Sequence, residues 1–576
     1  MAMRLQDGSK SLGPKGGRSP LRRHLHGLLT VGLALAGTAL YVVSQRSSRE
    51  GVILSGKEVS RCGKIEPIVP SFKKSVDLIL HDAEFKRSSV EKLSKAIQIP
   101  TEIWDVNPEP ADDPEWYAHF YEFHRFLEQT FPLVHERLTR EKVNELGLLY
   151  TWEGSEPELK PVLFMAHQDV VPVNKETWDD WEYPPFSGHY DEKSDLVWGR
   201  GSNDCKNLLI AELEAIEQLL LDGYQPKRSV ILSFGFDEES SGPLGARHLA
   251  AFLEDRYGRD GIFSIIDEGF GVLPIDEGLF VASPITAEKG YVDVVVTVNG
   301  KGGHSSVPPD HTTIGVASDL ITVLEDNPFG PDFELDNPLF SLLTCAAEHS
   351  KRLPKDLRKH ILRAPKNKAS RKMLEKFLSS DVRFRDLIRT TRAVDVFNGG
   401  IKANALPEVS TFVVNHRIDI HSSVEETVAA DAYFAEKIAK KYGYGFARNG
   451  EFSIPETELG YIDVKVAKAL EPAPVSPTSG AAWDILAGTI QDVFENGVFA
   501  GRDDAELYVS TTLMPANTDT RYYWNLTKNI YRFVASILDA STFETIHSVN
   551  ESIKASSHLS AIAFIYEYIV NVDENA

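Results

Sequence analysis

The chain has 576 residues, too many for one ordinary hydrophobic core, so we expect two domains or one domain with an insertion. Hydrophobic residues make up 42% and charged residues 25%, a balance that excludes a disordered, collagenous or coiled-coil protein. The formal net charge of −23 at pH 7 argues against a nucleic-acid partner, because such a partner requires a basic surface. The cysteines are Cys62, Cys205 and Cys345, so one disulfide at most can form, and the sequence does not say whether it does.

The N-terminus is predicted to be a basic tail followed by one membrane-spanning helix. Residues 1–24 are rich in Arg and Lys, and residues 25–43 form an apolar run without formal charge. At about 1.5 Å per residue this run reaches about 28 Å, roughly the hydrocarbon thickness of a bilayer. Because the basic flank comes first, we expect a single-pass anchor with a cytosolic N-terminus and a lumenal body. A cleaved signal peptide is the alternative, and it also predicts a lumenal body.

The lumenal prediction bears on two further features. Residues 44–90 are polar and are predicted to form a stalk between the anchor and the folded body. Asn525 and Asn550 begin Asn-Leu-Thr and Asn-Glu-Ser sequons, which can be glycosylated on the lumenal side of a membrane.

Residues 91–289 are predicted to form the first part of an α/β domain. Apolar runs at 161–166, 229–235 and 261–266 are typical of buried strands, and residues 207–221 have the leucine spacing of an amphipathic helix. Strands that alternate with helices indicate a largely parallel sheet with helices on its faces.

The pattern changes at residue 290, where a second domain is predicted over residues 290–455. Residues 291–306 and 409–420 alternate apolar and polar side chains, as half-exposed strands do. Between them, residues 325–395 are polar and helical, and the basic run at 351–372 is typical of a solvated helical insertion. The α/β pattern returns over residues 456–576, so the second domain is predicted to interrupt the first.

Polar residues that could bind metal ions follow several of the predicted strands. In a parallel sheet the loops at the carboxyl ends of the strands meet at one edge, so we expect these side chains to lie together. Imidazole nitrogens and carboxylate oxygens are the ligands that zinc takes, and a shared carboxylate would make a two-metal hydrolase. The residues are His167, Asp169, Asp204, Glu238, Glu239, Asp267, Glu268 and the late His547.

Six motifs resemble one enzyme family as a set. They are LFMAHQDVVPV, WGRGSNDCKNLL, DEESSGPLGAR, DEG, GKGGHSSVPP and IHSVNE. Together they resemble the aminoacylase/carboxypeptidase G-type zinc peptidases over roughly residues 90–576. The resemblance implies an α/β catalytic domain with a mostly parallel sheet and an inserted α+β, ferredoxin-like lid. In this chain a single transmembrane helix is predicted to precede that fold.

The resemblance implies two zinc ions per subunit and assigns their ligands. His167 and Asp267 would bind one zinc ion, while Glu239 and His547 would bind the other. Asp204 would bridge both ions.

The resemblance also implies roles for residues that do not bind metal. Asp169 would orient its neighbouring zinc ligand, and Glu238 would be the general base and acid. In the lid, His304 would polarise the scissile carbonyl, in relatives often across a homodimer interface that the lid forms. Asn404 and Arg417 would bind the free carboxylate of the substrate, which a guanidinium can contact with two hydrogen bonds.

These roles predict a zinc carboxypeptidase that releases C-terminal residues from short peptides of the Gly-Xaa type. An N-acyl-amino-acid hydrolase is the first alternative, because both substrates present an amide next to a free carboxylate. A catalytically inactive, membrane-anchored binding module is the second, and loss of a ligand or of Glu238 would have favoured it. The resemblance implies a vacuolar location.

Overall fold

The computed structural model describes residues 61–576. The predicted cytosolic tail, transmembrane segment and first part of the stalk lie outside these residues. Within residues 61–576 no helix combines the length and the apolar content that crossing a bilayer requires.

Residues 61–289 contain the first group of helices and strands. The helices are α1 (Val76–His81), α2 (Ala83–Ile97), α3 (Ala118–Thr130), α4 (Pro132–Arg137), α5 (Lys206–Asp222) and α6 (Ala246–Tyr257). The strands are β1 (Thr139–Val143), β2 (Gly147–Trp152), β3 (Val162–His167), β4 (His189–Asp191), β5 (Leu196–Trp198), β6 (Val230–Gly235), β7 (Ser264–Asp276), β8 (Leu279–Ala282) and β9 (Ile285–Glu288).

Residues 290–470 contain the second group. The helices are α7 (Thr313–Asp326), α8 (Leu339–His349), α9 (Lys355–Arg363), α10 (Lys368–Ser379), α11 (Val382–Arg385) and α12 (Val424–Tyr442). The strands are β10 (Gly290–Gly300), β11 (Gly303–His304), β12 (Ala393–Gly399), β13 (Ala405–Leu406), β14 (Val409–Ile418), β15 (Gly445–Arg448), β16 (Glu451–Ile454) and β17 (Gly460–Leu470).

The remaining elements return to the first domain, called here the body. The helices are α13 (Ala481–Asp492), α14 (Ala540–Phe543) and α15 (Ala555–Asn575). The strands are β18 (Glu506–Val509), β19 (Thr512–Met514), β20 (Ile530–Ile537) and β21 (Ser552–Lys554).

The body is built on a ten-stranded sheet with the order β1-β2-β6-β3-β7-β20-β9-β19, and β8 and β18 pair beside it. Strands β6, β3, β7 and β20 run parallel at its centre, whereas β1, β2 and β8 pair antiparallel, so the sheet is mixed. Every residue of β3 and β6 is buried, because helices cover both faces of the sheet. Helices α5, α13 and α15 pack into one core cluster, and α6 packs into another.

The lid is the unit formed by strands β10, β12 and β14–β17 with helices α7 and α12. Its six-stranded sheet has the order β12-β14-β10-β17-β15-β16. Burial alternates along β10 and β14, as the period-two pattern predicts, because the helices cover one face. The lid ends at Leu470 rather than at residue 455, since β17 pairs antiparallel with β10 along its length. The predicted division at 455/456 is therefore too early.

Two regions pack differently from the prediction. Helices α8–α11 form an insertion that packs in one apolar cluster with strands β7 and β8 of the body. Residues 61–90, predicted as stalk, belong to the body as well: Ile79 is fully buried, and a disulfide joins Cys62 to Cys345 of α8. The stalk prediction is wrong for residues 61–90 because the short apolar stripes of α1 and α2 are hidden among charged residues.

Candidate metal centre

Four of the five predicted metal ligands lie together at the carboxyl edge of the body sheet. His167 is the last residue of β3, Glu239 lies in a short 3₁₀ turn after β6, and Asp204 lies just before α5. His547 comes from the loop that follows α14. Parallel strands deliver these residues to one edge, as the sequence predicts.

Asp204 lies between the two imidazoles. Its Oδ1 is 3.0 Å from Nε2 of His167, and its Oδ2 is 3.0 Å from Nε2 of His547. Nε2 of His547 is also 3.0 Å from Oε1 of Glu239. One carboxylate that offers an oxygen to each of two histidines has the geometry of a bridging ligand between two ions.

Asp169 holds His167 from behind. Nδ1 of His167 lies 3.0 Å from the carbonyl oxygen of Asp169 and 3.3 Å from its Oδ1, and both side chains are almost fully buried. Oδ2 of Asp169 accepts a hydrogen bond from the backbone N–H of Glu239 at 3.0 Å. Asp169 thus fixes the ring of His167 so that Nε2 faces Asp204, and it connects His167 with the turn that contains Glu239.

At Asp267 the structure differs from the predicted ligand set. Glu268 groups with His167, with its Oε2 3.7 Å from Nε2 of that histidine. Asp267 lies opposite Arg532 in the pairing of strands β7 and β20, and its side chain is buried without an ion pair to either imidazole among the described residues.

A β-bulge explains this exchange. Asp267 pairs with Arg532 and Phe270 pairs with Phe533, so Glu268 and Gly269 have no partner opposite them. Gly269 has φ +159°, and a Cβ there would lie 2.6 Å from the carbonyl oxygen of Arg532. The bulge turns Glu268 toward the centre, and only glycine fits the position beside it.

The loop that contains Asp204 is held by Glu551, the last residue of the motif IHSVNE, to which the sequence analysis gives no role. Oε1 of Glu551 accepts hydrogen bonds from the backbone N–H groups of Gly201, Asn203 and Asp204 at 3.0, 3.0 and 3.2 Å. Its Oε2 pairs with Nη1 of Arg200 at 2.6 Å, and Glu551 is fully buried. Its position in the same motif as His547, four residues after it, is the sequence signal that could have indicated it.

Cys205 is buried next to the centre and remains a free thiol. Its sulfur accepts a hydrogen bond from the backbone N–H of His167 at 3.3 Å, and it lies in the same group as His167 and Glu268. Burial raises the pKa of the Cys205 thiol well above its ordinary value, so it packs in the neutral form.

Buried negative charge dominates the electrostatics of the centre. Burial and the neighbouring Asp204 raise the pKa of Glu239 to about 7. Burial and the charge of Glu268 raise the pKa of Glu238 well above its ordinary value. Burial opposes the charge of Asp204 as well, but hydrogen bonds with His167 and His547 hold the pKa of Asp204 well below its usual range. This excess of carboxylates, mixed with imidazole nitrogens, fits divalent cations of the zinc type.

A cavity of about 210 Å³ opens onto the centre. Glu238, Glu268 and His547 line it on the polar side. Its apolar lining consists of side chains that the sequence did not single out, among them Phe270, Met514, Leu538, Phe543 and Ile546. Glu238 therefore lies at a space in which a small substrate could meet the imidazole of His547.

The predicted lid residues lie in two different settings. His304 is exposed in β11 of the two-stranded ribbon of β11 and β13, Asn404 is exposed just before β13, and neither lines the cavity. Nδ1 of His304 accepts a hydrogen bond from the backbone N–H of Ser306 at 3.1 Å. Arg417 is near the body: its Nη1 donates to Oδ1 of Asn517 at 3.1 Å, and Asn517 lines the cavity.

The two sequons also differ. Asn525 is exposed, and its side chain donates to Oε2 of Glu254 at 3.2 Å. Asn550 is half-buried, and its Oδ1 accepts a hydrogen bond from the backbone N–H of Glu182 at 2.7 Å. Asn525 is therefore the more accessible glycosylation candidate.

Comparison with known proteins agrees with this geometry. The chain is 63% identical to carboxypeptidase S of Saccharomyces cerevisiae over 517 residues, which cover 90% of this chain and 89% of that protein. It is 33% identical to the N-fatty-acyl-amino acid synthase/hydrolase PM20D1 of Mus musculus, over 84% of this chain and 87% of that protein.

A solved structure shares the fold. The di-peptidase Dug1p of Saccharomyces cerevisiae superposes with a TM-score of 0.57 at 15% identity, over 87% of this chain and 98% of that chain. Residues 163–571 match the profile of peptidase family M20/M25/M40. With that match and the identity to carboxypeptidase S, the chain belongs to peptidase family M20/M25/M40.

Proposed function

We propose that the protein is a two-zinc carboxypeptidase that releases the C-terminal residue from short peptides. The observation that carries the proposal is the position of Asp204, whose two oxygens lie 3.0 Å from His167 and from His547. The 63% identity to carboxypeptidase S supports a peptide substrate with a free C-terminus.

The ligands of the two zinc ions would be five side chains. His167 and Glu268 would hold one ion, Glu239 and His547 the other, and Asp204 both. When bound, the ions would lower the pKa of a shared water and polarise the amide carbonyl of the substrate. Glu268 replaces Asp267 in this set because it is the carboxylate that faces His167.

Glu238 would move the proton. It lines the cavity, and burial together with neighbouring carboxylates gives it the affinity for a proton that a general base requires. It would take a proton from the attacking water and then donate that proton to the departing amine. Asp169 would keep His167 oriented throughout the reaction. Its own carboxylate is held in place, because Oδ2 accepts a hydrogen bond from the backbone N–H of Glu239.

Arg417 would bind the carboxylate of the substrate. Its guanidinium lies against the ring of Tyr291, with 5.0 Å between the guanidinium carbon and the ring centroid, and it bonds to Asn517 at the cavity wall. Burial lowers the pKa of Arg417, but a guanidinium remains charged at neutral pH. A guanidinium at the cavity would favour substrates with a free carboxylate, because it can donate two parallel hydrogen bonds to that group. The apolar lining of the cavity would suit a hydrophobic C-terminal side chain.

A second candidate function is hydrolysis of N-acyl amino acids. The apolar lining of the cavity and the 33% identity to PM20D1 favour it, because an acyl chain needs such a surface. The purified chain would be assayed for release of leucine from a blocked Gly-Leu dipeptide and from a long-chain N-acyl-leucine. Each assay would be repeated with a chelator and after zinc is added back.

We expect cleavage of the dipeptide that the chelator abolishes and zinc restores. Preference for the acyl-leucine would replace the peptidase with the acylase while keeping the zinc ligands. Activity that a chelator leaves untouched would contradict the metal centre.

We also propose a lumenal body behind an N-terminal anchor, in a vacuole-like compartment. The disulfide between Cys62 and Cys345 supports an oxidising compartment. Protease protection in sealed vesicles, combined with glycosidase treatment of an Asn525→Gln variant, would test it. A body accessible to protease from the cytosolic side would contradict the proposal.

A further inference from the structure

A second group of candidate metal ligands lies where the lid meets the insertion, outside the centre described above. Asp419 and His421 directly follow strand β14 of the lid, and Asp332 lies in the segment between α7 and α8. One ligand atom from each of these residues lies within 4.8 Å of the other two. Asp332 is far in sequence from Asp419 and His421, so the fold brings it to the other two.

Asp419 provides the strongest sign of a bound cation. The residue is only 2% exposed, yet its Oδ2 is buried without any hydrogen-bond partner. Its Oδ1 accepts from the backbone N–H of His421 at 3.1 Å and lies 3.4 Å from Nδ1 of the same residue. A buried carboxylate oxygen without a partner costs free energy unless a cation or a donor reaches it.

The ring of His421 is oriented as metal-binding histidines are. Its Nε2 lies 3.1 Å from Oδ1 of Asp336, an exposed carboxylate. A proton on Nε2 shared with Asp336 would leave the lone pair of Nδ1 on the side of Asp419. Metal-ligating histidines commonly donate their other ring N–H to a carboxylate in this way.

The local charge also fits a cation. Three carboxylates, those of Asp332, Asp336 and Asp419, lie close to the ring of His421. Lys289 is the neighbouring buried amine, and its Nζ donates to the carbonyl oxygens of Asp386 and Arg389 at 2.8 and 2.6 Å. Both of these hydrogen bonds go to backbone carbonyl oxygens, so neither of them occupies Oδ2 of Asp419.

We propose that Asp332, Asp419 and His421 bind a zinc ion where the lid meets the insertion. Two carboxylates and one imidazole form the N/O ligand set that zinc accepts, with water as the remaining ligand.

The site would hold the strand that carries Arg417. The backbone N–H of Thr391, at the end of the insertion, donates to the carbonyl oxygen of Arg417 at 2.9 Å. The backbone N–H of Asp419 donates to Oγ1 of Thr390 at 3.0 Å. A zinc ion bound by Asp332 and Asp419 would add a third tie between the insertion and the end of β14, close to the proposed substrate-binding arginine.

The test is the zinc content of the full chain, loaded with zinc, dialysed and measured by inductively coupled plasma mass spectrometry. His421→Gln and Asp332→Asn should each bind one zinc ion fewer per chain than the unaltered protein. The control is His119→Gln, which removes an exposed histidine and should not change the content. Asp336→Asn keeps the three ligands and should weaken zinc binding about 10–100-fold without changing the content at saturation.

The difference between variant and unaltered protein is the result that matters. Equal zinc content in His421→Gln and the unaltered protein would overturn the proposal. Failure of the centre at Asp204 would lower the content of all the proteins together and leave that difference intact, so the two proposals fail separately. Because the side chain of Asp336 is 77% exposed, its variant should fold, and unchanged zinc affinity there would also contradict the site.

Discussion

The edge of the body sheet and the ribbon of the lid hold their proposed functional residues in opposite ways. At the edge, His167 is 1% exposed, and each of its ring nitrogens contacts a carboxylate. In the ribbon, His304 is exposed, and its ring nitrogen Nδ1 bonds to Ser306, two residues away. The difference indicates that the metal centre is built into the body, whereas recognition of the substrate depends on how the lid meets it.

The largest expected effect is at the edge. Glu238→Gln keeps the size of the side chain but removes the base, so turnover should fall by about 10⁴-fold, near the upper end for acid–base catalysis. Zinc content and melting temperature should not change, because Glu238 is not among the proposed ligands. Activity would be measured on the blocked dipeptide and zinc by mass spectrometry. A variant that retained its turnover would show that the proton goes elsewhere.

The next prediction separates two adjacent carboxylates. Glu268→Ala should lose zinc from the His167 side of the centre and lower turnover by about 10²–10³-fold, since polarisation by a metal ion contributes several kcal/mol. Asp267→Asn is the matched control, and it should keep its zinc. Titration of each variant with zinc under a weak chelator would measure the difference. The reverse pattern would restore Asp267 as the ligand.

The sequence predicts the edge better than the lid for a physical reason. His167, Asp204, Glu239 and His547 lie in motifs, and the first and third directly follow apolar strands that must be buried, so their meeting at one edge follows from a parallel sheet. Glu268 was among the candidate residues, but the ligand role was assigned to Asp267, because the bulge at Glu268 and Gly269 leaves no trace in the hydrophobic pattern. The motif DEG offers both carboxylates and does not say which one faces inward.

Boundaries were less predictable than elements. The sequence of strand β17 does not show which domain the strand belongs to. Only its pairing with β10 assigns it to the lid. The segment from Cys62 to Ile97 looks polar, and only its disulfide to Cys345 and its buried stripes attach it to the body. Long-range pairing of this kind has no local signature, so periodicity could not have detected it.

The lid ribbon gives the prediction that could break the comparison. If the ribbon reaches the substrate, His304→Ala should lower kcat by about 10²-fold, the effect of removing one donor to the oxyanion. Zinc content and melting temperature should stay the same, because the side chain is exposed. His311→Ala, a change at another exposed histidine of the lid, is the control. An unchanged kcat would mean that the ribbon takes no part in catalysis.

Arg417 sharpens the comparison because it belongs to the lid and contacts the cavity wall of the body. Arg417→Ala should raise KM and lower kcat/KM by about 10–100-fold, since a hydrogen bond to a charged group contributes about 1.5–3 kcal/mol. Arg417→Lys should recover only part of the loss, because an ammonium cannot make the two parallel hydrogen bonds of a guanidinium. The decisive measurement is the same assay on a peptide with an amidated C-terminus. If Arg417 binds the carboxylate, the unaltered protein should cleave that peptide poorly and the variant should cleave it no worse. An equal loss of kcat/KM on the free and the amidated peptide would mean that Arg417 supports the contact between lid and body through Asn517 and does not bind the C-terminal carboxylate.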